Sequence, residues 1–208
     1  MEKIIRDRIE KIEKDIVPEG YKKTPIGIIP QDWQVKKLGE MGEFKLGKGI
    51  SKNKLQEDGI SCIIYGEIYT IYNYYIDKLN SKVSIEVAKN STDISCGDIL
   101  FASSGETAED IGKAVMYVGN DKAVAGGDII IFSPKKEIKT IFYSFLLNFN
   151  YINKEKYEKA QGHSVVHLYS SHLKEISIPI LPLEEQKKIA DILTLWDEYI
   201  ENMDNLIE

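Results

Sequence analysis

No apolar run in this chain approaches the roughly 18 residues of a membrane-crossing helix, and no basic, apolar, small-residue leader opens it. Membrane insertion and secretion are unsupported, and a cytoplasmic protein is expected. Cysteine is scarce: Cys62 and Cys96 sit in apolar, strand-like settings without the spacing of a metal site. Both are expected to be core thiols in a reducing compartment. The three histidines, His163, His167 and His172, fall in steps of four and five with no acidic or cysteine ligand close by, so zinc is not expected. Glycine-rich phosphate loops and the Asn-Pro-Pro motif of methyltransferases are absent. Asp128 with Glu137-Ile-Lys139 has the carboxylates and lysine that hold magnesium in many nucleases. Pro134-Lys-Lys separates them in a loop, so they are not expected to converge. Neither a catalytic residue nor a metal site follows.

What remains is ordinary globular material, 208 residues with 43% hydrophobic and 29% charged, enough for one sizeable domain and appendages. The net charge of −6 is unevenly placed. Residues 174–208 hold three lysines against nine acids, so the preceding 173 residues are neutral. Within that neutral part, residues 22–54 carry eight lysines against Asp32, Glu40 and Glu43. A local +5 can neutralise several phosphates in a salt-dependent manner.

The end of the chain is its most regular stretch. From Ile189 the apolar residues recur in steps of three and four: Ile189, Trp196 and Met203, then Ile192, Tyr199 and Leu206, then Leu193, Ile200 and Ile207. Pro182 suits the first turn and Glu184 and Glu185 favour the positive end of the dipole, so a helix is expected from about Leu183. A stripe three positions wide can bury surface on two sides. Residues 1–17 give a second helical pattern, Ile5, Ile9, Ile12 and Ile16, too short to be stable alone and expected to pack on the tail helix.

Between these ends, Tyr21 to Pro30 reads as a turn-rich linker and Asp32 to Leu38 as an alternating segment. Strands are expected over Gly42–Leu46, Ile60–Tyr65, Ile68–Tyr75, Lys82–Val87, Asp98–Ala102, Ala114–Val118 and Asp128–Phe132. Helical spacing follows at Thr140–Phe149 and Lys154–Ala160, then an extended piece, Gln161 to Leu168, and a short helix at Ser170–Leu173. The fold class is α+β: a β-rich globule as a curved sheet or partly open barrel, flanking helices, and a long C-terminal coiled-coil helix. Its expected divisions are 1–17, 18–182 and 183–208.

Two stretches, one at each end of the globule, resemble the specificity subunit of type I restriction-modification systems. Gly27-Ile-Ile-Pro-Gln-Asp-Trp-Gln-Val-Lys-Lys-Leu-Gly-Glu40 is similar to the opening of that family's target recognition domain. Gly162 to Leu168, then Leu173-Lys-Glu-Ile-Ser-Ile-Pro-Ile-Leu-Pro-Leu-Glu-Glu-Gln-Lys-Lys-Ile-Ala-Asp-Ile-Leu193, resembles its end and the start of the conserved spacer helix. The resemblance implies a non-catalytic reader of double-stranded DNA. Its head enters the major groove, and antiparallel spacer helices set the distance between two heads. It further implies modification and restriction subunits as partners, to which S-adenosylmethionine, ATP and Mg2+ belong, with no cofactor on this chain. The common member has two heads and two spacers, whereas one of each is present here, and Leu181 stands where a second proline is more usual.

One head with one exposed seam should pair with its twin under a two-fold axis, through Ile189, Ile192, Trp196, Tyr199, Ile200 and Met203. For DNA, the candidates are Lys45, Lys48, Lys52 and Lys54 in a mobile, glycine-punctuated loop; a solvated lysine face explains them as well. Ser103, Ser104 and Thr107 offer small hydroxyls at a strand-to-loop break that a plain turn would also explain. Gln161 can bond adenine through both amide atoms, and His163 and Ser164 follow it across Gly162. Tyr65, Tyr69, Tyr72, Tyr74 and Tyr75 are expected to pack at core and edge. A stand-alone endonuclease and a coiled-coil protein adaptor remain as rivals.

Overall fold

The apolar runs Ile99-Leu-Phe-Ala102 and Ile129-Ile-Ile-Phe132 do not alternate with polar residues, the mark of strands covered on both faces. A computed structural model of the chain, describing residues 2–105, 111–135, 140–162 and 165–207, places them side by side. Ile99, Phe101, Ile130 and Phe132 enter one buried cluster, while Leu100, Ala102, Ile129 and Ile131 enter another. Each such side chain contributes about 1.5–3 kcal/mol on full burial, so this pair of strands is the keel of the head.

Its sheet runs Gly42–Leu46, Ile129–Pro134, Ile99–Ala102, Ala114–Tyr117, Tyr75–Ile76, antiparallel except for the last pair. A second five-stranded sheet runs Leu55–Gln56, Ser81–Val83, Ile60–Ile63, Ala123–Ala125, Thr92–Ile94. Seven helices are described: α1 (Glu2–Glu13), α2 (Tyr65–Thr70), α3 (Ile85–Lys89), α4 (Thr140–Leu146), α5 (Asn150–Lys159), α6 (Ser170–Lys174) and α7 (Leu183–Ile207). Leu147, Ile152, Leu173 and Ala190, from the helical C-terminal part, close the first cluster. The α+β class is confirmed, and α7 starts where Pro182 and the paired glutamates indicate.

Several expectations are corrected. The segment Tyr21 to Pro30 is a hairpin, not a linker: Tyr21–Thr24 pairs with Gly27–Pro30. Ile68 to Tyr75 is not a strand. Glu67, only 7% exposed, accepts the Ile64 N–H (3.0 Å) and the Ser81 hydroxyl (2.7 Å), which closes a first helical turn and makes Tyr65–Thr70 α2. Lys82–Val87 divides because the Ser84 hydroxyl accepts from Val87 N and caps α3. The N-terminal helix stops at Glu13, and Asp15 follows with φ 58°. Cys62 is buried as expected and burial pushes its thiol up to about 12, but Cys96 is exposed in the turn before Gly97. Of the tyrosines, Tyr72 is buried, Tyr74 stacks on Phe145 at 4.4 Å and Tyr69 is half-buried, whereas Tyr65 is exposed.

Candidate nucleic-acid interface

The basic loop leaves the edge strand at Gly47, whose N–H donates to Ile129 O at 2.8 Å, and Lys48 N donates to Ala125 O at 3.2 Å. These bonds clamp the root of the loop against the turn Gly126-Gly127-Asp128, so the mobility expected from its glycines does not extend to its base. A Cβ on Gly47 would stand 2.0 Å from Gly126 O, so the approach needs glycine. Ile50 is buried and anchors the far side, while Lys45, Lys48, Lys52 and Lys54 are exposed. Lys54 Nζ donates to Gly49 O at 2.8 Å, so that lysine also braces the loop.

Around the same turn, residues far apart in sequence meet. Ser104–Gly105 pairs antiparallel with Val166–His167, and His167 forms a bridge with Gln161 on its other side. Ser104 and Gln161 are each directly opposite His167, so the three side chains share a face. They grade from buried Ser104, through half-buried His167, to exposed Gln161. At the inner end, Ser104 Oγ lies 3.0 Å from Asp128 Oδ1 and 2.9 Å from His167 Nδ1. Asp128 has φ 58° and is exposed, and its carbonyl accepts from Ser103 N at 2.9 Å. A cavity of 220 Å³ opens here, lined by Gly47, Ser103, Asp128, His167, Tyr169 and Ser170 among others. A second, of 630 Å³, lies across Asp128 and includes Lys52, Tyr65 and Thr70.

The root of the lysine loop at Gly47, Ser103, Ser104 and His167 thus meet around Asp128, with Gln161 paired beside His167 and Lys52 across the second cavity. Thr107, His163 and Ser164 lie outside the described residues, as do Glu137 and Lys139. Asp128 is engaged by Ser104. Among the described residues no group of three or more His, Cys, Asp or Glu is placed to hold a metal, and no helix is long and apolar enough to cross a membrane. Sequence spacing alone points His167 to no role but a zinc ligand's and Asp128 to none but a nuclease carboxylate's. Their pairing partners lie 63 and 24 residues from them, beyond the reach of local spacing.

Away from these cavities, residues 33–37 and 177–186 form a joint. Gln34–Lys37 pairs with Ser177–Ile180, and Trp33 Nε1 donates to Glu185 Oε2 at 2.9 Å. Gln186, 1% exposed, donates through Nε2 to Leu181 O at 2.7 Å. The start of α7 is bolted to the head through these residues. Ile189 packs on the first core cluster, so this member of the expected dimer seam serves its own head. Beyond it, Ile192, Trp196, Tyr199, Ile200 and Met203 are exposed, together with Leu195, which lies outside the three rows of the stripe. Leu195 lies three residues after Ile192 and four before Tyr199, on their face of the helix.

The sequence matches the family described as type I restriction modification DNA specificity domain over residues 30–208. It is 35% identical over 198 residues to the Methanocaldococcus jannaschii protein assigned as the MjaX type I restriction enzyme specificity subunit, covering 91% of this chain and 45% of that one. The MjaVIII specificity subunit of the same organism is 29% identical, with 91% and 44% covered. The chain therefore spans a little under half the length of these relatives. The fold is similar to the S subunit of a type I restriction-modification system from M. genitalium, with TM-score 0.60, 17% identity, and 88% of this chain and 44% of that one covered. It is also similar to the HsdS subunit from Thermoanaerobacter tengcongensis, with TM-score 0.60, 15% identity, and 99% and 48% covered. On the match over residues 30–208, this chain belongs to the type I restriction modification DNA specificity domain family.

Proposed function

We propose that this chain is a sequence-specific reader of double-stranded DNA that performs no chemistry, and that it directs modification and restriction subunits to a site. The observation that carries this reading is that the segment bearing four exposed lysines meets, at Gly47, the turn of Asp128 on which the Ser104, His167, Gln161 row is built. Lysines supply affinity through phosphates, and polar side chains on a shared face supply base contacts. The division into residues 1–17, 18–182 and 183–208 then has a purpose. The middle part reads, the tail sets spacing, and the first helix packs on the paired tails. Half-exposed Ile5 and Ile9 on α1 leave it an apolar face for that role. S-adenosylmethionine, ATP and Mg2+ would be bound by the partners, in the cytoplasm.

Titration of purified protein into random-sequence duplex at rising salt tests the reading. Log affinity should fall linearly with log salt, with a slope of about −0.9 per phosphate neutralised. Lys48→Glu should weaken binding to all sequences alike and flatten that slope by about one. Gln161→Ala should alter preference at one base pair by about 1–3 kcal/mol in a selection from random duplexes. Magnesium-dependent cleavage that disappears with Asp128→Ala would establish the endonuclease instead. Binding with no salt dependence would leave the adaptor.

A further inference from the structure

Ser104 has one hydroxyl proton and two neighbours that compete for it. As a carboxylate, Asp128 can only accept, so the 3.0 Å contact consumes the serine proton. The 2.9 Å contact to His167 Nδ1 is then a hydrogen bond only if Nδ1 carries hydrogen and donates to Ser104 Oγ. In the neutral ring that leaves Nε2 as the acceptor. His167 lines the 220 Å³ cavity beside Asp128, so this end of the site presents acceptors to that cavity.

We propose that Asp128 and Ser104 act as positioning residues that hold His167 with hydrogen on Nδ1, so that Nε2 accepts from the amino group of a base. In the major groove the groups of that chemistry are adenine N6 and cytosine N4, whereas guanine presents N7 and O6 and thymine O4, all acceptors. A ring held this way selects amino-bearing bases and rejects carbonyl-bearing ones, because two facing acceptors leave both unpaired. The base assignment rests on the DNA-reading function proposed above; the tautomer does not.

Two variants separate relay from structure. Ser104→Ala removes both bonds and releases the ring. Asp128→Asn keeps the side-chain shape and tolerates the positive φ, yet its amide can donate to Ser104 Oγ, sending the serine proton to Nδ1 and hydrogen to Nε2. Nitrogen-15 spectra of histidine-labelled free protein, with His167 assigned by His167→Gln, should show the Nδ1–H form in the wild type. Both variants should move it toward Nε2–H. In selection from random duplexes, both should lower the preference for adenine or cytosine at one position by about tenfold. A wild-type ring protonated at Nε2, or variants that move neither the spectrum nor the preference, would overturn the proposal. If the spectra behave as stated but no duplex binds, the base assignment and the DNA reading both fall while the relay stands.

Discussion

Replacing Trp196 with aspartate is expected to raise the dissociation constant of the homodimer we propose from the exposed seam by about a thousandfold or more, with little change in the unfolding midpoint of the monomer. The indole is 59% exposed and stacks edge-on against Tyr199 at 6.2 Å, which is itself 57% exposed. Neither ring belongs to a core cluster of the head, so the intramolecular cost is confined to the edge-on contact between them. Under a two-fold axis the substitution counts twice. A tryptophan with about 100 Å² left to bury gains about 2.5 kcal/mol per copy at 25 cal/mol per Å², and about 5 kcal/mol per pair. At 1.4 kcal/mol per tenfold, that exceeds three powers of ten before the buried charge is considered. Ile192, Leu195 and Met203 extend the same face and should weaken the pair in proportion to their area. Sedimentation across a range of concentrations reads the constant. A wild type that stays monomeric at micromolar concentration would remove the pairing, and with it the two-headed site.

The division between what the tail keeps and what it offers was only partly legible. Spacing of three and four identifies the stripe but not which flank meets the head, because both flanks are apolar. The joint decides it: Trp33 on Glu185 and Gln186 on Leu181 fix the rotation of α7, turning Ile189 and Ala190 inward and Ile192 outward. The keel strands were legible because a run such as Ile129 to Phe132 has no polar face to misplace. Ala123–Ala125 was missed for the opposite reason, being three small buried residues with no period. The α2 segment misled because Ile68, Tyr69 and Tyr72 favour strands, while the deciding bonds come from Glu67 and a serine 14 residues on. The candidate site was legible as three separate stretches. Their meeting depends on the bridge between Gln161 and His167 and on the pairing of Ser104 with His167, contacts that no local pattern encodes.

The head should also carry a pH dependence of stability that one side chain controls. Lys156 is fully buried, and its ammonium donates to Gly112 O at 2.5 Å and Leu147 O at 2.9 Å, tying α5 to the end of α4 and to a turn at φ 74°. Burial depresses its pKa from the ordinary 10.5 to about 7. Between those values the unfolded chain holds a proton that the folded chain has released, so stability must rise with pH. The burial cost is fully present below pH 7 and relieved upward. Above about pH 9 the gain is offset, because buried Cys62, pushed up to about 12, keeps a proton that the unfolded thiol gives away, and the sense reverses only above the unfolded lysine's 10.5. The diagnostic window is therefore pH 7 to 9, where Lys156 alone should add about 1–2 kcal/mol at up to 1.36 kcal/mol per unit. Lys156→Met removes the titration and leaves two carbonyls without their donor, at about 1–3 kcal/mol. Urea midpoints should then rise from pH 7 to 9 in the wild type and stay level in the variant, which matches or exceeds the wild type near pH 6 and falls below it near pH 9. Equal slopes in both proteins would mean that the ammonium keeps its proton throughout, held by the two carbonyls more strongly than burial opposes it.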